Sequence, residues 1–239
     1  MLPRGVIITR PEPGLSETAT AVAQAGWLPV MAPALRVRHH AVAPLSKQPA
    51  ALLLTSGQAV APAAQAVALS VPVFAVGERT AQKARTAGFG VVWSANGNAQ
   101  ALEQLLVQHC TPGQGSLLLF SGAGQGLELA AGLRTHGFKV LRRVAYRAEP
   151  MGGMPASAGH ALQADQTAGI LFFSAQSAVC WLQNIPHGPT RDRVLALRAV
   201  VISHAVAIIL HQAGWRGPVE VAATPDSPGM MGALGRFGA

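Results

Sequence analysis

Two similar α/β lobes, each a parallel sheet flanked by helices, are predicted by three observations. Apolar runs of buried-strand type alternate along the chain with helical stretches, the pattern of parallel sheets with helices on both faces. Three strand–loop–helix stretches occur twice, in the same order, which marks a duplication. Half of the residues are hydrophobic but only 5% are aromatic, and Ala supplies many of the apolar positions, so Ala-rich helices suit the chain better than a bulky-cored β-sandwich. At 239 residues it is long enough for one large domain or two small ones, each with its own core.

The first repeated stretch is Val6-Ile7-Ile8-Thr9-Arg10 against Leu117-Leu118-Leu119-Phe120-Ser121. After each come a Pro/Gly-rich loop and a helical stretch. A shift of 111 sets Glu17 on Glu128, Ala19 on Ala130, Gly26 on Gly137 and Trp27 on Phe138. Gly followed by an aromatic at a helix end predicts a left-handed C-cap with a hydrophobic clasp. A β-like run follows in both copies, Leu28 to Met31 and Lys139 to Val144. The second stretch, Leu52 to Gln58, repeats as Leu171 to Gln176 at a shift of 118. Its hydroxyls end a strand and stand where the next helix wants an N-cap. The third, Val73 to Ala81, repeats as Ala199 to Ala207 at a shift of 126, which also sets Phe89 on Trp215. Short strands follow at Val91 to Ala95 and Val219 to Ala223, then helices at Ala99 to Val107 and Gly229 to Leu234.

Composition excludes several functions. The longest apolar stretch, Leu195 to Leu210, is interrupted by Arg198 and His204 and falls short of the roughly 18–20 residues of a spanning helix. The run Val6 to Ile8 is too short for a signal-peptide core, so a soluble cytoplasmic protein with no membrane partner is expected. Cys110 and Cys180 form no CxxC pattern and read as structural thiols. The net charge of +8 favours polyanionic partners. Its arginines are scattered, however, with Arg142-Arg143 the densest pair, and no RNP-like motif accompanies them, so no nucleic acid is expected.

Parallel sheets take ligands beyond the carboxyl ends of their strands, at helix N-termini. The repeated Thr-Ser, Ser-Gly and Val-Gly pairs fall there, and their backbone N–H groups suit carboxylate or phosphate.

Ile8-Thr9-Arg10-Pro11 resembles the opening motif of uroporphyrinogen-III synthases. So do Leu54-Thr55-Ser56 with Ala59-Val60, Ala75 to Ala81, Val144-Ala145-Tyr146-Arg147, and the closing Val221-Ala222-Ala223-Thr224-Pro225. The likeness covers nearly the whole chain and lies in the order and spacing of the motifs. It implies a chain that crosses over, with residues 1–36 and 150–239 in one lobe and 37–149 in the other. A plain duplication would instead split near Pro112. The resemblance further implies a two-stranded hinge and a ligand cleft between the lobes. The implied reaction closes hydroxymethylbilane, a linear tetrapyrrole with acetate and propionate arms, with loss of water and inversion of its last ring. Azafulvene and spiro intermediates are implied, and no cofactor or metal. The protein would orient a floppy polyanion and help the hydroxyl depart.

By the same resemblance, Tyr146, the single tyrosine, is the catalytic candidate, its hydroxyl facing the cleft and the histidines lying away from the strand ends. A hinge-packing tyrosine is the plainer reading. Thr80 matches a cleft threonine, though it could simply cap a helix. Arg10 offers a planar fork for a carboxylate arm, with solvation as the alternative. Ser56, Ser121 and Ser174 are N-caps first and ligands second. The remaining candidate contacts at the strand ends, chiefly through backbone amides, are Thr55, Gly57, Gly77, Gly122, Ala175 and Ser203. Val206 stands where the family's second lobe has threonine, which puts that side-chain contact in doubt.

His39-His40, His204 and His211 lack a second pair at ligand spacing, so they read as packed or solvated. Gly122-Ala123-Gly124-Gln125-Gly126 follows a strand as a dinucleotide-binding loop does. It reads GxGxG, with Leu127 in the third glycine's place and arginines where an acid is needed. A monomer acting on a small-molecule substrate is expected. The rivals are a non-catalytic two-lobe carrier of a tetrapyrrole or another small polyanion, and a different enzyme on the same scaffold.

Overall fold

The computed structural model describes residues 4–238. Its strands, in chain order, are β1 (Gly5–Ile8), β2 (Leu28–Met31), β3 (Leu35–His39), β4 (Ala51–Leu54), β5 (Val73–Ala75), β6 (Val92–Ser94), β7 (Ser116–Gly122), β8 (Lys139–Pro150), β9 (Thr167–Phe172), β10 (Arg198–Val201) and β11 (Val219–Val221). Its helices are α1 (Gly14–Gln24), α2 (Val60–Ala66), α3 (Glu78–Thr86), α4 (Ala99–His109), α5 (Leu127–Thr135), α6 (Ala156–Gln163), α7 (Ala175–Asn184), α8 (Pro189–Leu195), α9 (His204–Gln212) and α10 (Ser227–Leu234). The chain divides into two compact units. One takes the chain up to Val37 and from Glu149 onward; the other is Arg38–Ala148. Both divisions fall inside strands, β3 and β8, which are neighbours in one sheet.

In the first unit the strands lie in the order β11-β10-β9-β1-β2, with every pair parallel. Residues 5–8 of β1 are all buried, as expected of a strand covered on both faces. Helix α1 closes one face through Leu15, Thr18 and Val22, spaced for one helical stripe. Leu15 and Val22 join Val6, Ile8, Leu171, Val200, Met230 and Leu234 in one core.

The second unit is a six-stranded sheet, β3-β8-β7-β4-β5-β6. Its pairs from β8 to β6 are parallel. Helix α4 places Leu102 and Leu106 one turn apart against Leu53, Phe74, Leu117 and Leu119. Asn98 starts this helix by accepting from the Ala101 N–H at 3.1 Å, the usual task of an amide at an N-cap.

A plain tandem duplication would pair β1 with the strands around β4. Instead β1 pairs with β9, and β4 pairs with β7. Winding therefore reverses between β1 and β9 in one unit and between β4 and β7 in the other. Such reversals open a crevice at the carboxyl ends of the strands.

The predicted helix ends are present in four copies. Gly26, Gly88, Gly137 and Gly214 take φ between +82° and +97°. The residue after each glycine donates its N–H back across the turn: Trp27 to Val22, Phe89 to Ala84, Phe138 to Leu133 and Trp215 to Leu210. That is the Schellman arrangement, with the aromatic folded over the helix end.

Candidate functional site

The reversal in the second unit brings Thr55, Ser56 and Gly57 beside Ser121 and Gly122, because Leu54 is in register with Phe120. Ser56 caps the short 3₁₀ turn Gly57–Ala59 that leads into α2, its Oγ accepting from the Gln58 N–H at 3.2 Å. Gly77 caps α3 through its backbone alone. At the end of β3, His39 Nε2 lies 3.1 Å from Gln58 Oε1. In the first unit Ser174 caps α7, accepting from the Ser177 N–H at 3.0 Å, and Ala175 is the first helical residue. Ser203 caps α9 without a side-chain bond.

These four caps share one geometry. Their φ, ψ pairs are −156°, 144° at Ser56; −154°, 165° at Gly77; −165°, 155° at Ser174; and −160°, 161° at Ser203. Each ends a strand extended and turns the next amides forward, where first-turn N–H groups lack intrahelical acceptors. Such a start attracts anions.

Three expectations need correction. Ser121 is not a cap: it lies within β7, fully buried, and its Oγ donates to the Gln125 carbonyl at 3.0 Å. The cap of α5 is Gly126, in a left-handed conformation that glycine adopts cheaply. Thr80 is not a cap either, since Gly77 holds that place and Thr80 is buried in the first turn of α3. Nor do the histidines all avoid the strand ends, because His204 opens α9 directly after Ser203.

Tyr146 is buried. An extra residue on β8 shifts the register, so that Ser121 faces Val144 while Gly122 faces Tyr146. Bulges of this kind re-aim a side chain. The phenol then donates to Gln125 Oε1 at 3.0 Å. A Cβ on residue 122 would come within 2.9 Å of the tyrosine ring and 2.8 Å of that amide oxygen, so only glycine leaves the ring its place. Gln125 is the residue that sequence reasoning missed. Its carbonyl also accepts from Arg142 Nη2 at 2.8 Å, and its pattern position, the loop of a failed dinucleotide motif, was the available signal. Thr55 Oγ1 is buried with no hydrogen-bond partner among the described residues.

Arg10 is engaged inside its own unit. Its Nη1 donates to Thr18 Oγ1 at 3.3 Å and to Ser227 Oγ at 3.2 Å, and its guanidinium lies 4.2 Å over the Phe173 ring. Ser227 opens α10 two residues beyond the closing motif: Asp226 caps the helix, and the Gly229 amide and Thr224 hydroxyl hold its carboxyl below the usual range. Thr9 is fully buried, with its hydroxyl donating to the Leu171 carbonyl at 2.7 Å, so it clasps β1 to β9. Both cysteines are free, and burial pushes each thiol upward. That disfavours the thiolate a nucleophile needs. Among the described residues no helix is long and apolar enough to cross a membrane.

The fold and these strand ends define a duplicated, doubly wound α/β protein whose capped helix starts follow the carboxyl ends of its strands. The family model described as Uroporphyrinogen-III synthase HemD matches residues 16–232, and the chain belongs to the uroporphyrinogen-III synthase family, whose members are cyclising lyases. Among solved structures, uroporphyrinogen-III synthetase from Helicobacter pylori is similar at 14% identity. That match covers 97% of this chain and 98% of the other, with a TM-score of 0.63. Uroporphyrinogen III synthase from Thermus thermophilus is 16% identical over 97% and 96% of the two chains, with a TM-score of 0.45. No curated protein sequence matched.

Proposed function

We propose that the strand-end amides at Thr55 to Gly57, Gly77, Gly122, Ala175 and Ser203 receive the carboxylate arms of hydroxymethylbilane, which this chain cyclises to uroporphyrinogen III. The observation that carries the reading is the fourfold repeat of one cap geometry at the ends of β4, β5, β9 and β10. Four equivalent anion-seeking turns match a substrate that repeats its acidic arms on every pyrrole. Each unit carries two of these turns, after β4 and β5 in one and after β9 and β10 in the other.

Orientation is the larger part of the task, since ring inversion requires one end of a flexible chain to be held against the other. Tyr146 supplies the second part. Its hydroxyl, held by Gln125, would assist departure of the substrate hydroxyl as a hydrogen-bond donor once the amide releases it. A phenol is a weak acid, so the pyrrole nitrogen's push remains the main driver. Arg10 serves the site indirectly, through Ser227 and Phe173, by fixing the end of β1. We further propose that the protein acts as a monomer in the cytoplasm.

Supplying the purified protein with freshly made hydroxymethylbilane tests the reading. Uroporphyrinogen III is the expected product. Formation of only the spontaneous type I isomer would identify a carrier or a different enzyme.

A further inference from the structure

The first unit contains a cavity of about 500 Å³ at the opposite ends of the strands from Arg10 and Ser174. It is lined by Arg4, just before β1, by Arg198 at the start of β10, by Trp27, and by Leu234, Arg236 and Phe237 at and beyond the end of α10. Its wall is fastened in place. Trp27 Nε1–H donates to the Gly235 carbonyl at 2.9 Å, and the Phe237 N–H donates to the Ala25 carbonyl at 3.0 Å. The two rings meet edge to face with centroids 5.0 Å apart.

The three arginines differ in what they face. Arg198 is neutralised: its Nε and Nη2 each lie 2.7 Å from a Glu220 carboxylate oxygen, and it also donates to the Ala233 and Leu234 carbonyls. Among the described residues Arg4 donates only to the Thr167 carbonyl, at 3.1 Å. Arg236 is exposed and has no ion pair among the described residues. Two guanidinium groups with no carboxylate partner among the described residues therefore stand beside two aromatic rings.

The duplication provides an internal control. At the equivalent place in the second unit a cavity of about 250 Å³ is lined by Gly115, Ala50, Pro72 and Phe138. By the repeat shifts these correspond to Arg4, Ala168, Arg198 and Trp27. No lysine or arginine lines that second cavity. The scaffold makes the hollow in both copies, but only one copy is furnished with cations, so their presence is not a requirement of the fold.

We propose that this cavity of the first unit binds a small planar organic anion, an aromatic ring carrying an acidic group. The ring lies against Trp27 and Phe237, and the acid faces Arg4 and Arg236. Guanidinium groups suit such planar acids because they donate in a fork. The site is separate from the strand-end amides and does not depend on the reaction assigned to them.

Naphthalene-2-sulfonate is the probe, titrated into the full chain while the tryptophan indole N–H resonances are followed by NMR. The Trp27 signal is identified by its loss in Trp27→Phe. Saturable movement of that signal is expected. Binding should weaken about tenfold or more in Arg236→Gln, as for loss of a charge-assisted hydrogen bond. It should weaken further when Arg4→Gln is added, a change that keeps a donor for the Thr167 carbonyl. The neutral analogue 2-naphthalenemethanol should bind at least tenfold more weakly than the sulfonate. A Trp27 signal that stays still while another tryptophan moves would overturn the proposal. So would unchanged affinity in Arg236→Gln, a side chain whose removal disturbs no packing.

Discussion

Tyr146 stands over Gly122 because β8 carries one residue more than β7 at that point, and because residue 122 has no Cβ to strike the ring. The sequence singles out Tyr146 as the one tyrosine at a family position. It does not show Gln125, whose contact exists only once the bulge has turned the phenol toward the loop. General-acid help is worth about 10²–10⁴-fold, and a phenol shares the work with the pyrrole nitrogen. Tyr146→Phe is therefore expected to lose roughly 10–100-fold in turnover with thermal stability near wild type. Unchanged turnover would make the tyrosine structural. The amides are tested next door. Ser56 is extended, a conformation that tolerates a following proline, and Gly57 is the first residue of the 3₁₀ turn, where proline fits. Gly57→Pro thus deletes one N–H, with the flexible Lys83 side chain shifting to admit its Cβ, and should cost on the order of 10²-fold, as loss of an oxyanion donor does. Ser56→Ala should stay within about tenfold. Equal losses in steady-state assays would remove the backbone amides from the mechanism. Gly122→Pro is a poorer test, because its Cβ would displace Tyr146.

Elements with a partner in the other half were legible, since each signal could be read twice. The four Schellman ends and the strands before the four caps belong to this group. Helices α6 and α8 were not: α6 buries only Ala158 and Leu162, too thin a stripe to show, and neither has a repeated counterpart. The full length of β8 was hidden as well, because its bulge breaks the alternation that marks a strand. Another feature invisible in the sequence is the fastening of β10 to β11 and α10 by Arg198. Its hydrogen bonds hold the Glu220 carboxyl below its ordinary value and raise the guanidinium. A carboxylate depressed on folding stabilises above its unfolded pKa, about 4.3, and that contribution fades as pH falls through the folded value. Both partners are partly exposed, at 29% and 43%, so about 1 kcal/mol or less is at stake. Denaturant midpoints of Glu220→Gln should lie below wild type at pH 7, and the gap should narrow as the pH is lowered into the acid range. A gap that does not narrow on acidification would assign the effect to packing instead.

At the scale of the molecule, the duplication could be read from the sequence but the choice of partners could not. A strand–helix–strand piece satisfies the same local rules beside β4 or beside β9, and only long-range pairing decides between them. The crossing has a mechanical consequence. Because β1-α1-β2 belongs with the later strands, the chain must pass between units twice, and it does so once within β3 and once within β8. Two strands are a slender link, and domains so linked move relative to one another unless a large apolar interface prevents it. A ligand shifts such motion toward whichever arrangement binds it better, and a more compact one is the expected outcome. Small-angle scattering is therefore expected to show a smaller radius of gyration when uroporphyrinogen III or a linear analogue saturates the protein. Gly57→Pro should blunt this compaction at equal ligand concentration, since it removes one amide of the proposed binding set and leaves the link intact. An unchanged radius at saturation, with binding confirmed by calorimetry, would mean that the substrate is held without closure and that orientation comes from pre-formed geometry.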